Sequence, residues 1–78
     1  MLTLYSTWGC HLCEEAEAML RAASAEFVTV DIVDDPAAFA LYRTEIPVLA
    51  QHHAGHITEL KWPFDKAALH TFITQQAL

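Results

Sequence analysis

Leu2-Thr3-Leu4-Tyr5-Ser6-Thr7-Trp8-Gly9-Cys10-His11-Leu12-Cys13 is the stretch whose reading decides the fold. Leu2 to Ser6 is short, β-prone and bounded by Gly9, the pattern of a buried strand, and Thr7 to Gly9 supplies the turn out of it. From His11 to Ala23 strong helix formers take over. Leu12, Ala16, Met19, Leu20 and Ala23 recur at helical spacing, while Glu14, Glu15, Glu17 and Arg21 face elsewhere. A strand that hands over directly to a helix predicts the start of an α/β layer, and both cysteines sit at the handover.

The rest of the chain extends that pattern. Glu26 to Val33 carries Phe27, Val28, Val30, Ile32 and Val33, the near-continuous apolar run of a strand covered on both faces. It predicts a second, parallel strand reached by a right-handed crossover. Asp35-Pro36 is a helix start, with Asp35 as the cap and Pro36 pre-set for the first helical position, and Ala37 to Thr44 makes a short helix. Phe39, Leu41 and Tyr42 read as its packing residues. Pro47 to Gln51 and Ile57 to Lys61 predict two short antiparallel strands joined by the turn His52-His53-Ala54-Gly55-His56. Trp62-Pro63-Phe64 then bends the chain, Asp65 caps, and Leu69, Phe72, Ile73 and Gln76 trace one face of a final helix. The order is β-α-β-α-β-β-α, an α/β fold with a four-stranded mixed sheet and helices on both faces.

Composition narrows what such a layer can do. A chain of 78 residues accommodates one domain, 1–78, that buries roughly 60% of its unfolded surface. Its two cysteines are too close in sequence to tie distant segments together, so their use is local, as redox or metal chemistry. With ten acidic against four basic residues the net charge is −6, which repels a phosphate backbone and argues against nucleic acid as a partner. No apolar run approaches the roughly 20 residues of a membrane span, and Met1 to Ser6 lacks the basic and apolar regions of a signal peptide. The expectation is a cytoplasmic monomer without membrane contact, in a compartment where a disulfide is transient and part of a working cycle.

The position of Cys10-His11-Leu12-Cys13 gives the spacing its chemical meaning. At a helix start the first backbone N–H groups lack intrahelical partners and the macrodipole presents roughly half a positive charge, which lowers a thiol at Cys10 below about 8.5. The thiolate is the nucleophile. Cys13 lies almost one turn on along nearly the same side, close enough for its sulfur to close a disulfide with Cys10. The alternative is that both are small buried hydrophobes, since free cysteine is among the most buried residue types.

The strand, the turn Trp8-Gly9-Cys10-His11-Leu12-Cys13, the amphipathic helix and the later Ile46-Pro47-Val48 together resemble the glutaredoxin branch of the thioredoxin superfamily. The closest likeness is to its short glutaredoxin-like group with a C-x-L-C motif. That resemblance implies a thioredoxin-like three-layer fold and a thiol-disulfide oxidoreductase in which Cys10 is the nucleophile and Cys13 the resolving thiol. It also implies a cis Ile46-Pro47 bond opposite the cysteine turn, leaving the preceding backbone groups free to pair with an extended substrate. Three departures stand out. Thr7 occupies the place where many glutaredoxins carry an assisting lysine; Leu60-Lys61-Trp62-Pro63-Phe64 replaces the Gly-Gly turn that cradles glutathione; and Asp65 is the remnant of the polar contacts there. No bound cofactor is expected. The partners implied are a protein or small-molecule disulfide and, as electron donor, a reductase or glutathione.

Trp8 and His11, with Ile46 and Pro47, are the candidate substrate-binding residues. A protonated His11 would lower Cys10 and make its sulfur a better leaving group, whereas a solvated loop histidine would do neither. Trp8 shields the turn, contacts a partner or packs. His52, His53 and His56 lie in the hairpin turn, which need not approach Cys10, and are read as solvated rather than as zinc ligands. Asp31, Asp34 and Asp35 are read as a strand end and a helix cap rather than as a cation site. Two other functions compete: a metal-binding module holding Zn²⁺ or Cu⁺ through both thiolates, and a redox-silent adaptor with a groove near Trp8 and Pro47.

Overall fold

The computed structural model describes residues 1–75, so Gln76 lies outside the described residues. Strand β1 (Leu2–Ser6) leads into α1 (His11–Ala22) and β2 (Phe27–Asp31). A short 3-10 turn (Ile32–Asp34) and α2 (Pro36–Tyr42) follow, then β3 (Val48–His53), β4 (His56–Lys61) and α3 (Lys66–Gln75). The sheet order is β2-β1-β3-β4. β1 runs parallel to β2, and β1–β3 and β3–β4 are antiparallel, so the sheet is mixed and the element order is that expected.

Side-chain alternation along β1 and β3 sorts the core into two halves. Leu2, Leu4 and Leu49 meet Ala16 and Leu20 of α1, Phe64, and Leu69 and Phe72 of α3 on one face. Val48 meets Ile32 and the α2 residues Ala38 and Tyr42 on the other, with Tyr5 and Ile46 packed alongside. The helices therefore cover both faces. The central strands β1 and β3 carry the fully buried Leu4, Val48 and Leu49, as a strand with neighbours on every side must.

β2 departs from the reading of a strand covered on both faces. It lies at the sheet edge, because the other flank of β1 is taken by β3, and Val28 and Thr29 face solvent. The strand also stops before the apolar run does. The Asp31 carboxylate accepts the Val33 N–H at 3.0 Å, folding the chain into the 3-10 turn that sinks Ile32 and leaves Val33 exposed.

Helix α2 starts where expected: Asp35 accepts the N–H groups of Ala37 and Ala38, both at 3.1 Å, and Pro36 opens the first turn. Such a cap contributes about 1 kcal/mol. The helix ends at Tyr42 rather than Thr44, since the Tyr42 carbonyl accepts the N–H groups of both Glu45 (2.8 Å) and Ile46 (3.1 Å). Phe39 and Leu41 are exposed, contrary to their reading as packing residues: in so short a helix one narrow arc, Ala38 and Tyr42 at i and i+4, faces the sheet. The Tyr42 ring lies 4.7 Å from that of Tyr5, and its hydroxyl donates to Glu59, tying α2 to β4. Burial, and then the Glu59 carboxylate, hold the Tyr42 phenol well above its usual range.

The β3–β4 hairpin is tighter than the five-residue turn expected. Ala54 (φ 49°) and Gly55 (φ 84°) form a two-residue turn with positive φ at both positions, the twist that suits antiparallel strands. His52, His53 and His56 consequently lie within strands, His53 directly across from His56. At the start of α3 the Asp65 carboxylate accepts the Ala68 N–H at 2.7 Å, and Leu69 and Phe72 are buried as their spacing predicts. No helix among the described residues is long and apolar enough to cross a membrane.

Candidate redox site

The end of β1 delivers the cysteines to the start of α1. Gly9 sits at φ 79°, a conformation that a residue without Cβ adopts freely, and the Cys10 N–H donates to the Thr7 carbonyl at 3.4 Å, closing the turn. Cys10 then stays extended (φ −89°, ψ 108°) as the N-cap of α1, and its Sγ accepts the Cys13 N–H at 3.2 Å. One of the unpaired amides at the positive end of the helix is thus aimed at that sulfur.

Cys10 and Cys13 are joined as a disulfide with their Cα atoms 5.2 Å apart, inside the span such a bridge requires. The two sulfurs are not equivalent in access. Cys13 is 4% exposed and packed on the inner face of α1, whereas Cys10 is half-buried at the mouth of a cleft. The buried arc of α1 runs through Cys13, Ala16 and Leu20, while Leu12 is 44% exposed and Ala23 also faces solvent. The cap at Cys10 fixes the helix phase and turns Leu12 out beside the bridge instead of into the core, correcting its place among the apolar face residues.

Ser6, Thr7, Trp8, Gly9, Cys10 and Cys13 share a cleft of about 380 Å³ with Glu14 and Glu17 of α1 and Thr29 and Asp31 of β2. Asp31 does more here than end a strand: besides Val33, its Oδ1 accepts the Thr7 hydroxyl at 3.1 Å, tying the tip of β2 to the loop that carries Cys10. Periodicity gives no hint of that contact. Thr7 was legible as the residue at the lysine position, but its partner was not.

The other sequence candidates are distributed around this cleft. Trp8 is 93% exposed, so it is not core packing. The His11 side chain stands in solvent with Nδ1 3.9 Å from Glu14 Oε2. Ile46 and Pro47 do not line the cleft, but the register Tyr5↔Val48 brings Pro47 level with Ser6 at the same end of the sheet. The Ile46–Pro47 peptide is cis, as is Trp62–Pro63. Of the backbone groups preceding Pro47 expected to be free, the Ile46 N–H donates to the Tyr42 carbonyl at 3.1 Å; the Pro47 carbonyl itself accepts the Trp62 N–H at 3.3 Å. No group of three or more His, Cys, Asp or Glu side chains among the described residues is arranged to hold a metal ion.

Solved structures carry the same architecture. A crystal structure of the target protein XcR50 from X. campestris is 38% identical, with a TM-score of 0.80 over 96% of this chain and 97% of that one. Protein Ne2328 from Nitrosomonas europaea, solved in solution, is 28% identical with a TM-score of 0.70, covering 91% and 87% of the two chains. Thioredoxin 1 from Thermosipho africanus shares the fold at 8% identity, with a TM-score of 0.61 over 99% and 98% of the chains. No curated protein matches the chain. Residues 1–74 match the glutaredoxin-like domain family (DUF836), and with its thioredoxin-like fold and its paired cysteines at the head of α1 the chain belongs to that family.

Proposed function

We propose that the protein is a dithiol–disulfide oxidoreductase working through Cys10 and Cys13. The observation that supports this best is the placement of Cys10 Sγ, half-buried, 3.2 Å from a helix-start amide and bonded to the sheltered Cys13. In the reduced protein the same amide and the helix end favour the Cys10 thiolate over the thiol. That thiolate attacks one sulfur of a substrate disulfide; the Cys10–substrate S–S bond forms, the substrate S–S bond breaks, and the second substrate sulfur leaves as a thiolate that takes up a proton. Cys13, losing its proton, attacks Cys10 Sγ, re-forming the intramolecular bridge and releasing the first substrate sulfur. Two electrons pass from the dithiol to the disulfide.

Trp8, His11, Ile46 and Pro47 contact the substrate in this scheme. Because the Ile46 amide is already satisfied by Tyr42, any strand-like pairing at Ile46 falls to its carbonyl. Electrons return from a reductase or from glutathione. The absent Gly-Gly cradle weighs toward a reductase, and a cytoplasmic monomer fits such a shuttle.

The direct test mixes reduced protein with an equimolar aromatic disulfide. Both aromatic thiols should be released, and the protein should lose the mass of two hydrogens. Absence of thiol release would refute the proposal.

A further inference from the structure

The cleft beside the bridge has a charge out of keeping with a binding site for an anionic disulfide. Glu14, Glu17 and Asp31 line it with Trp8 and the hydroxyl residues Ser6, Thr7 and Thr29, and neither lysine nor arginine is among its lining residues. Arg21 pairs with Glu17 from along the exposed side of α1, which leaves Glu14 and Asp31 as the net charge. Both hydrogen bonds to Asp31 end on Oδ1, so Oδ2 has no side-chain partner among the described residues. Among the described residues the one ion-pair partner of the Glu14 carboxylate is His11, at 3.9 Å. The whole chain carries −6, which deepens the same potential.

We infer that this cleft receives a basic side chain, lysine or arginine, carried beside the reacting cysteine of a partner polypeptide; the inference rests on the oxidoreductase reading. Carboxylates in a concave, partly enclosed site bind a guanidinium or ammonium by charge-assisted hydrogen bonds, and an indole in the same wall adds a cation–π contact. A polypeptide fits better than a small cationic disulfide. The exposed Trp8 and Leu12 offer apolar contact that only a longer partner would cover. Glutathione disulfide, which brings extra carboxylates, meets repulsion at the same place.

The experiment uses three peptides, each with one cysteine blocked as a mixed disulfide by the same aromatic thiol and flanked by arginine, alanine or glutamate. Rates with reduced protein are divided by rates with dithiothreitol, which removes the intrinsic reactivity of each peptide. The arginine peptide should react about tenfold faster than the glutamate peptide at low salt, as steering of this kind allows, and most of the difference should vanish at high salt. Glu14→Gln, at an exposed position, and Asp31→Asn, which keeps an acceptor for Thr7, should each narrow the ratio. Equal normalised rates for three reactive peptides would overturn the preference while sparing the oxidoreductase. A preference untouched by either substitution would overturn the cleft as its origin. If no peptide exchanges, the oxidoreductase reading fails and takes the preference with it.

Discussion

Cys10→Ser is expected to reduce disulfide exchange to the uncatalysed background, whereas Cys13→Ser should still perform the first attack and then stall. The asymmetry follows from position. Cys10 is the more accessible of the two and receives the helix-start amide; Cys13 is sheltered on the inner face of α1, so under the proposed mechanism it would meet a substrate only after Cys10 had captured it. A serine hydroxyl at position 10 does not ionise near neutral pH and forms no bond with sulfur, so nothing replaces the lost thiolate. Without Cys13 the mixed disulfide has no internal thiol to resolve it, and mass spectrometry under non-reducing conditions should find the substrate attached at Cys10. Trapping by Cys10→Ser and inactivity of Cys13→Ser would reverse the two roles.

The largest structural effect is expected at Leu20. It is fully buried on α1, in the same cluster as Leu4, Leu49 and Leu69. Leu20→Ala removes its methyl groups and leaves a cavity, costing about 3 kcal/mol. A domain this small holds roughly 4–12 kcal/mol in total, so the urea midpoint of the oxidised variant should fall by about 1–3 M. Leu41→Ala on α2 is the control: Leu41 is 66% exposed, and its replacement should shift stability by no more than about 0.5 kcal/mol. An equal loss at both positions would show that the two-sided core is wrongly drawn. Cys13, Ala16 and Leu20 share one buried arc, so Leu20→Ala should also loosen the helix start that presents Cys10.

Local chemistry made much of this legible in the sequence. Asp35 with Pro36, Asp65, Gly9 and the cysteines each act within a few residues of themselves, and each is found at the helix end or turn its chemistry predicts. What stayed hidden was set by distant partners. Whether Glu26 to Val33 is central or at an edge depends on which strand takes the other flank of β1, and β3 takes it from more than a dozen residues away. Leu12 and Cys13 are adjacent and both apolar, so spacing alone could not say which one turns inward; the cap at Cys10 decides it. Phe39 and Leu41 are apolar enough for a core, yet α2 is too short to bury more than one arc. The Thr7–Asp31 bond spans 24 residues, and hydrophobic periodicity carries no information about such a contact.

The loop is held at its base by the Thr7–Asp31 hydrogen bond, with one cysteine capping α1 and the other buried one turn on.

The proposed exchange chemistry depends most on the ionisation of Cys10, and titration measures it directly: the alkylation rate of the reduced protein followed against pH, with the modified cysteine identified by mass. Modification confined to Cys10, with an inflection well below the ordinary thiol value of about 8.5, is the predicted result. An inflection at or above that value, or preferential labelling of Cys13, would contradict it.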